Sequence, residues 1–185
     1  MLDITTEQRV NGIDVTALQE TVAAVTDDPS KGMVEFSVAT KWTGQTRSET
    51  SVTHYTLGGE RIDRQFKMVA DEPFELLGTN SAPNPQELLM CAANACMMVG
   101  YVTQAAVRGV NLTKCVITMK GELDLRGFLG IDATVRPGYA AVDYVVDMDG
   151  DGTREQFEAI HAAVQATSPN FFNMANAIEM RGKLA

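Results

Sequence analysis

The sequence predicts an α+β domain, and three observations carry that prediction. From Met33 the apolar residues recur with period two, through extended segments separated by short turns. The run "NPQELLMCAANACMMVG", Asn84 to Gly100, opens like a capped helix and then stays almost wholly apolar. Two further alternating segments and an amphipathic helix pattern follow it.

Taken in order, Asp14 is placed to cap a short helix with an apolar stripe of Val15, Leu18, Val22 and Val25. Pro29 and Gly32 in "DDPSKG" stop that helix, so residues 1–32 read as a helical extension and 33–185 as the domain proper. Val34, Phe36, Val38 and Trp42 share one side of a strand, opposite Glu35, Ser37 and Lys41. "TGQT" turns the chain, "SETSVTHYTL" extends, "GGE" turns it again and "RIDRQFKMV" makes a third strand. The result is an antiparallel meander built from local turns.

Asp71 to Pro83 is a loop with two prolines. Asn84 suits the N-cap of the next helix, Pro85 its first position, and Glu87 the third residue after the cap. The helix is expected to reach Arg108, with Gly109 as its stop, a length of ~36 Å at 1.5 Å per residue. Apolar on nearly every side, it should be buried all round, in a core or a subunit interface. Next, "KCVITMKGELDL" and "YAAVDYVVDMD" read as a β-hairpin, and "TREQFEAIHAAVQA" as a helix with Phe157, Ile160 and Val164 inward. "TSPNFFNMAN" reads as a turn or short helix and "AIEMRGKL" as a last strand.

The formal net charge of −9, with Lys and Arg scattered singly, argues against a nucleic-acid partner. The N-terminus lacks the basic flank and apolar stretch of a signal peptide. The apolar run from Leu88 to Val102 is interrupted by Asn94 and Gly100, short of the roughly 20 residues of a membrane span. Three cysteines fit a reducing compartment better than a disulfide scaffold, so the expectation is a soluble cytoplasmic protein with no membrane partner. There is no phosphate loop, dinucleotide fingerprint or paired-cysteine zinc motif, and no cofactor or metal is expected.

"DMDGDGTREQFE" matches an EF-hand loop at Asp147, Asp149, Asp151, Gly152 and Glu158. A strand precedes it where an EF-hand needs a helix, and Arg154 fills a normally apolar position. It is read as an acidic strand-to-helix turn capped by Asp151 or Thr153. His54 and His161 have no partner at ligand or triad spacing and read as structural or solvated.

The run "NPQELLMCAANAC", with "RGVNL" after it and the hairpin–helix order, resembles the OsmC/Ohr family of osmotically inducible and organic-hydroperoxide-resistance proteins. The resemblance covers roughly Met33 to Leu184. It implies an intertwined homodimer with the long helix in the shared core, and reduction of a small apolar hydroperoxide or binding of another small ligand. The peroxidatic cysteine it implies is Cys96, which would attack as a thiolate and become a sulfenic acid. It also implies an arginine from an N-terminal loop, for which Arg47 is the candidate, and a glutamate near the helix start that holds it.

Two positions depart from that pattern. The family glutamate falls on Gln86, with Glu87 adjacent but rotated by about 100° around the helix. Ser168, in "TSPN", stands where the resolving cysteine would be. Cys91 lies ~7.5 Å along the helix axis from Cys96, beyond the ~7 Å Cα separation that a bridge allows. Cys91, Cys115 and the methionines Met90, Met97 and Met98 read as core packing. Two readings stay open: a hydroperoxide reductase using Cys96, Arg47 and Glu87 with an external thiol as resolver, or a small-molecule-binding protein without the two-cysteine cycle.

Overall fold

Asn11 and Gly12, both at positive φ (53° and 79°), make a two-residue turn between strands β1 (Arg9–Val10) and β2 (Ile13–Asp14). The computed structural model describes residues 9–184. They divide into two units, one with Asp14–Leu89 and the other with Val10–Ile13 and the chain from Met90 onward. The small hairpin was not expected, although Asn-Gly is the strongest short hairpin signal.

In the first unit, helix α1 (Val15–Asp27) starts as expected, with the Asp14 side chain accepting from Ala17 N at 2.9 Å. Its stripe is not a buried one: Val15 is covered, but Val22 is 59% exposed. A 3₁₀ turn at Pro29–Gly32 ends it. Then come β3 (Val34–Phe36), β4 (Ala39–Gly44), β5 (Arg47–Leu57) and β6 (Glu60–Ala70). The first expected strand is thus two, both antiparallel to the central β5, whose other edge takes β6.

The register puts Trp42, Val52, Phe66 and Met68 on one sheet face, and Val34, Phe36 and Tyr55 on the other, so the expected single apolar side of Val34, Phe36 and Trp42 is split between the two faces. Phe36 stacks on Tyr55 with centroids 6.0 Å apart, and the Arg64 guanidinium lies over the rings of Tyr55 and Phe66. Both faces carry exposed apolar side chains, with Trp42 at 76% on one and Phe36 at 69% on the other.

The loop after β6 is organised by Asp71, the one fully buried carboxylate among the described residues. It accepts from Thr79 Oγ1 (2.5 Å) and N (3.1 Å), Ser81 Oγ (2.8 Å) and N (3.1 Å), Thr46 Oγ1 (2.8 Å) and Glu72 N (2.9 Å). The Thr79 hydroxyl, then the Ser81 N–H and the Thr46 hydroxyl, hold its carboxyl well below the usual range against the effect of burial. Such a group contributes stability above its unfolded value of about 3.9 and loses it as pH falls toward the folded value. Thermal melts should therefore show Asp71→Asn with a lower Tm at neutral pH and a shallower fall below about pH 4 than the parent chain. Parallel acid limbs would remove Asp71 as a source of acid sensitivity.

Helix α2 (Pro85–Val107) begins in a capping box: Asn84 Oδ1 accepts from Glu87 N, and Glu87 Oε2 accepts from Asn84 N, both at 2.8 Å. Its 23 residues contain an 18-residue window of mean hydropathy 1.4, long and apolar enough by length and composition alone to cross a membrane, contrary to the expectation from the interrupted run. Within the second unit it is a core helix. Ala93, Met97, Tyr101 and Ala105, four apart, are fully buried, whereas Leu89 and Val99 are exposed at 44% and 68%. Burial is therefore one stripe in the single chain, not all round, because one sheet and one helix cover a single side.

The covering layer is β7 (Leu112–Gly121) paired antiparallel with β8 (Val142–Gly150), and helix α4 (Arg154–Thr167). Met97, Tyr101, Ala105, Val110, Ile160 and Val164 form the core, with Cys115, Ile117, Tyr144, Val146 and Phe157 packed against it. Ile160 and Val164 point inward as expected. A short helix α3 (Leu125–Phe128) follows β7, in place of the strand that the pattern of "ELDL" predicts. After α5 (Pro169–Ala175) the segment 177–184 is not a strand. Alternation alone does not make one, since a strand needs a neighbour's hydrogen-bond ladder and none among the described strands pairs with it.

Candidate functional site

Gly100 brings α4 against α2. A Cβ there would meet the two Val164 methyls at 3.2 and 3.3 Å, so only glycine permits this separation without displacing Val164. One helical turn from that crossing, Cys96 on α2 meets Ser168 at the end of α4, with the Ser168 hydroxyl 3.5 Å from Cys96 Sγ. Ser168 is a hinge residue: its N donates to Val164 O at 2.9 Å, and its side chain accepts from Phe171 N as the N-cap of α5. Asn170 Nδ2 donates to Ala92 O at 2.9 Å, so the first turn of α5 is tied to α2 at two points. Ser168 is 4% exposed and Cys96 half-buried.

The three thiols are all free and differ in surroundings. Cys91 is exposed rather than packed in a core, a correction to its expected place. Cys115 sits against the core, where burial pushes its thiol up and so away from reactivity. Met97 is a core residue as expected.

The other two expected site residues belong to the first unit, and Cys96 to the second. Arg47 begins β5, and its Nη1 donates to Thr43 Oγ1 at 3.3 Å. The residue before it, Thr46, is held by buried Asp71. Glu87 is engaged in the α2 cap, and no ion pair joins it to Arg47 among the described residues.

Three arrangements fall elsewhere. Of the two readings for His161 the structural one holds: its Nδ1 lies 2.7 Å from the hydroxyl of buried Tyr101, and the two rings stack at 5.9 Å. Burial pushes the Tyr101 hydroxyl up and keeps it protonated. A groove of about 530 Å³ beside this pair is lined by Tyr144, Val146, Met148, Phe157, His161 and Gln165. Sequence spacing could not have found a pair 60 positions apart, nor the Asp71 knot, whose donors carry no periodic signal. The EF-hand-like segment is the acidic turn expected. Asp147 pairs with Lys114, Asp151 accepts from Asn111 N and Nδ2 at 2.7 Å, and Glu158 pairs with Arg154 at 2.9 Å. Thr153 caps α4 in a capping box with Gln156.

A family model described as OsmC-like protein matches residues 78–181, from the loop before α2 to the end of the chain's last helix and beyond. The chain belongs to the OsmC-like family. Solved OsmC-like structures share its fold. The OsmC-like protein of Mycoplasma pneumoniae aligns at 11% identity over 74% of this chain and 84% of its own, with a TM-score of 0.56. A "putative osmotic stress induced and detoxification response protein" of Psychrobacter arcticus aligns at 12% over 72% and 84%, with a TM-score of 0.55. An OsmC-like protein of unknown function from Vibrio cholerae aligns at 16% over 75% and 92%, with a TM-score of 0.54. At these identities the likeness is one of fold. No curated protein matches the chain. In this OsmC-like chain, the residue that meets Cys96 is the one at the expected resolving position, and it is a serine.

Proposed function

We propose that this OsmC-like protein reduces small apolar hydroperoxides through Cys96, as a homodimer in the cytoplasm and as part of a stress response. The observation that carries the reading is the setting of Cys96: half-buried on the family's signature helix, with a buried hydroxyl 3.5 Å from its sulfur. In the proposed step the Cys96 thiolate attacks the distal peroxide oxygen, the O–O bond breaks, and an alkoxide leaves to take up a proton as the alcohol. Cys96 is left as a sulfenic acid. Ser168 cannot supply the sulfur for a disulfide, so an external thiol displaces water to form a mixed disulfide. A second thiol then releases Cys96 in its reduced form. Arg47 is the proposed cation for the departing oxygen, and Glu87, beyond its cap bond, the proposed carboxylate that orients it.

The test is one equivalent of cumene hydroperoxide followed by mass spectrometry. The expected result is one added oxygen at Cys96, trappable by dimedone, or a mixed disulfide there when glutathione is present. An unmodified Cys96 would instead favour a second reading, a small-molecule-binding protein without the cycle, for which the groove beside His161 is the observation in support. A Cys91–Cys96 bridge would contradict both.

A further inference from the structure

The geometry points to Ser168 as a residue of the reacting centre, its O–H donating to the Cys96 sulfur and activating it. This deepens the reading above and rests on Cys96 being the reacting thiol. A hydroxyl carries one donor hydrogen and two acceptor lone pairs. One lone pair of Ser168 faces Phe171 N at 3.5 Å, which leaves the hydrogen for a different partner. At 4% exposure little water can take it, and buried polar groups are paired. The partner within reach is Cys96 Sγ, and a thiol is the weaker donor of the two, so the hydrogen runs from oxygen to sulfur. When the sulfur becomes a thiolate, that bond becomes charge-assisted and about twice as strong. The Gly100–Val164 contact and the Asn170–Ala92 bond hold both ends of the pair in register.

The test uses two variants that both keep the start of α5. Glycine and threonine are accepted at an N-cap, but only threonine keeps the hydroxyl. Ser168→Gly should slow alkylation of Cys96 by iodoacetamide about tenfold at fixed pH, as expected for a lost hydrogen bond to a charged group. Ser168→Thr should restore the rate to within a few-fold, and alkylation of Cys91, exposed on the same helix, should not change in either. A glycine variant in which Cys96 reacts as fast as in the parent overturns the inference. Because alkylation needs no hydroperoxide, the two readings can fail separately. If Cys96 resists cumene hydroperoxide while the glycine variant still slows alkylation, the peroxidase reading falls and the role of Ser168 stands.

Discussion

Replacing Cys96 with serine is expected to reduce hydroperoxide consumption to the uncatalysed background, while Cys91→Ser and Cys115→Ser retain it. The reason lies in the three environments. Cys91 is exposed and five residues along α2 from Cys96, on another side of the helix. Cys115 packs against the core, where burial disfavours its thiolate. Among the described residues Cys96 is the one of the three whose sulfur has a hydrogen-bonded side chain, the Ser168 hydroxyl. Consumption of cumene hydroperoxide with dithiothreitol in excess checks it, with thermal melts to show that each variant is folded. Equal loss in Cys91→Ser and Cys96→Ser would mean that the thiol chemistry has been assigned to the wrong residue.

The second large effect concerns assembly. Sedimentation equilibrium at micromolar concentration is expected to give twice the chain mass. A sheet face carrying Trp42 at 76%, Phe66 at 60% and Met68 at 46% exposure is far more apolar than a solvated surface tolerates. Leu89, Val99 and Val107 of α2 add a second exposed apolar stripe. Of the first unit's described residues only Val15 and Asp71 are buried, too few for a unit that folds by itself. The occupant that fits is a second copy, since each chain presents the same unburied faces. The double substitution Trp42→Glu, Phe66→Glu should dissociate the dimer. Truncating one aromatic anchor at an interface costs about 2 kcal/mol or more, and burying a charge in its place costs further. A single-chain mass for the unsubstituted protein would sink this expectation.

How much of this was legible beforehand differs by element. The α2 cap could be read from Asn84, Pro85 and Glu87 because capping is settled within four residues. The inward residues Ile160 and Val164 followed from a 3.6-residue period for the same reason. The meander was legible from turns that span only two to four residues, although the break between Phe36 and Ala39 was not. The expected strand at 177–184 failed because period two describes side chains, while a strand depends on a partner's backbone.

The place of Ser168 beside Cys96 was legible only as a position in a family pattern, and no spacing along the chain could supply a distance. By itself the sequence determined what local physics controls: the long helices, their caps, most of the local turns, and which thiol sits in the signature run. Only the tertiary structure decided which distant groups meet. A close approach at Gly100 brought Ser168 to Cys96, a stack joined Tyr101 to His161, and a loop wrapped Asp71 in donors. Such meetings depend on packing between elements, and the one-dimensional order of residues does not encode packing distances.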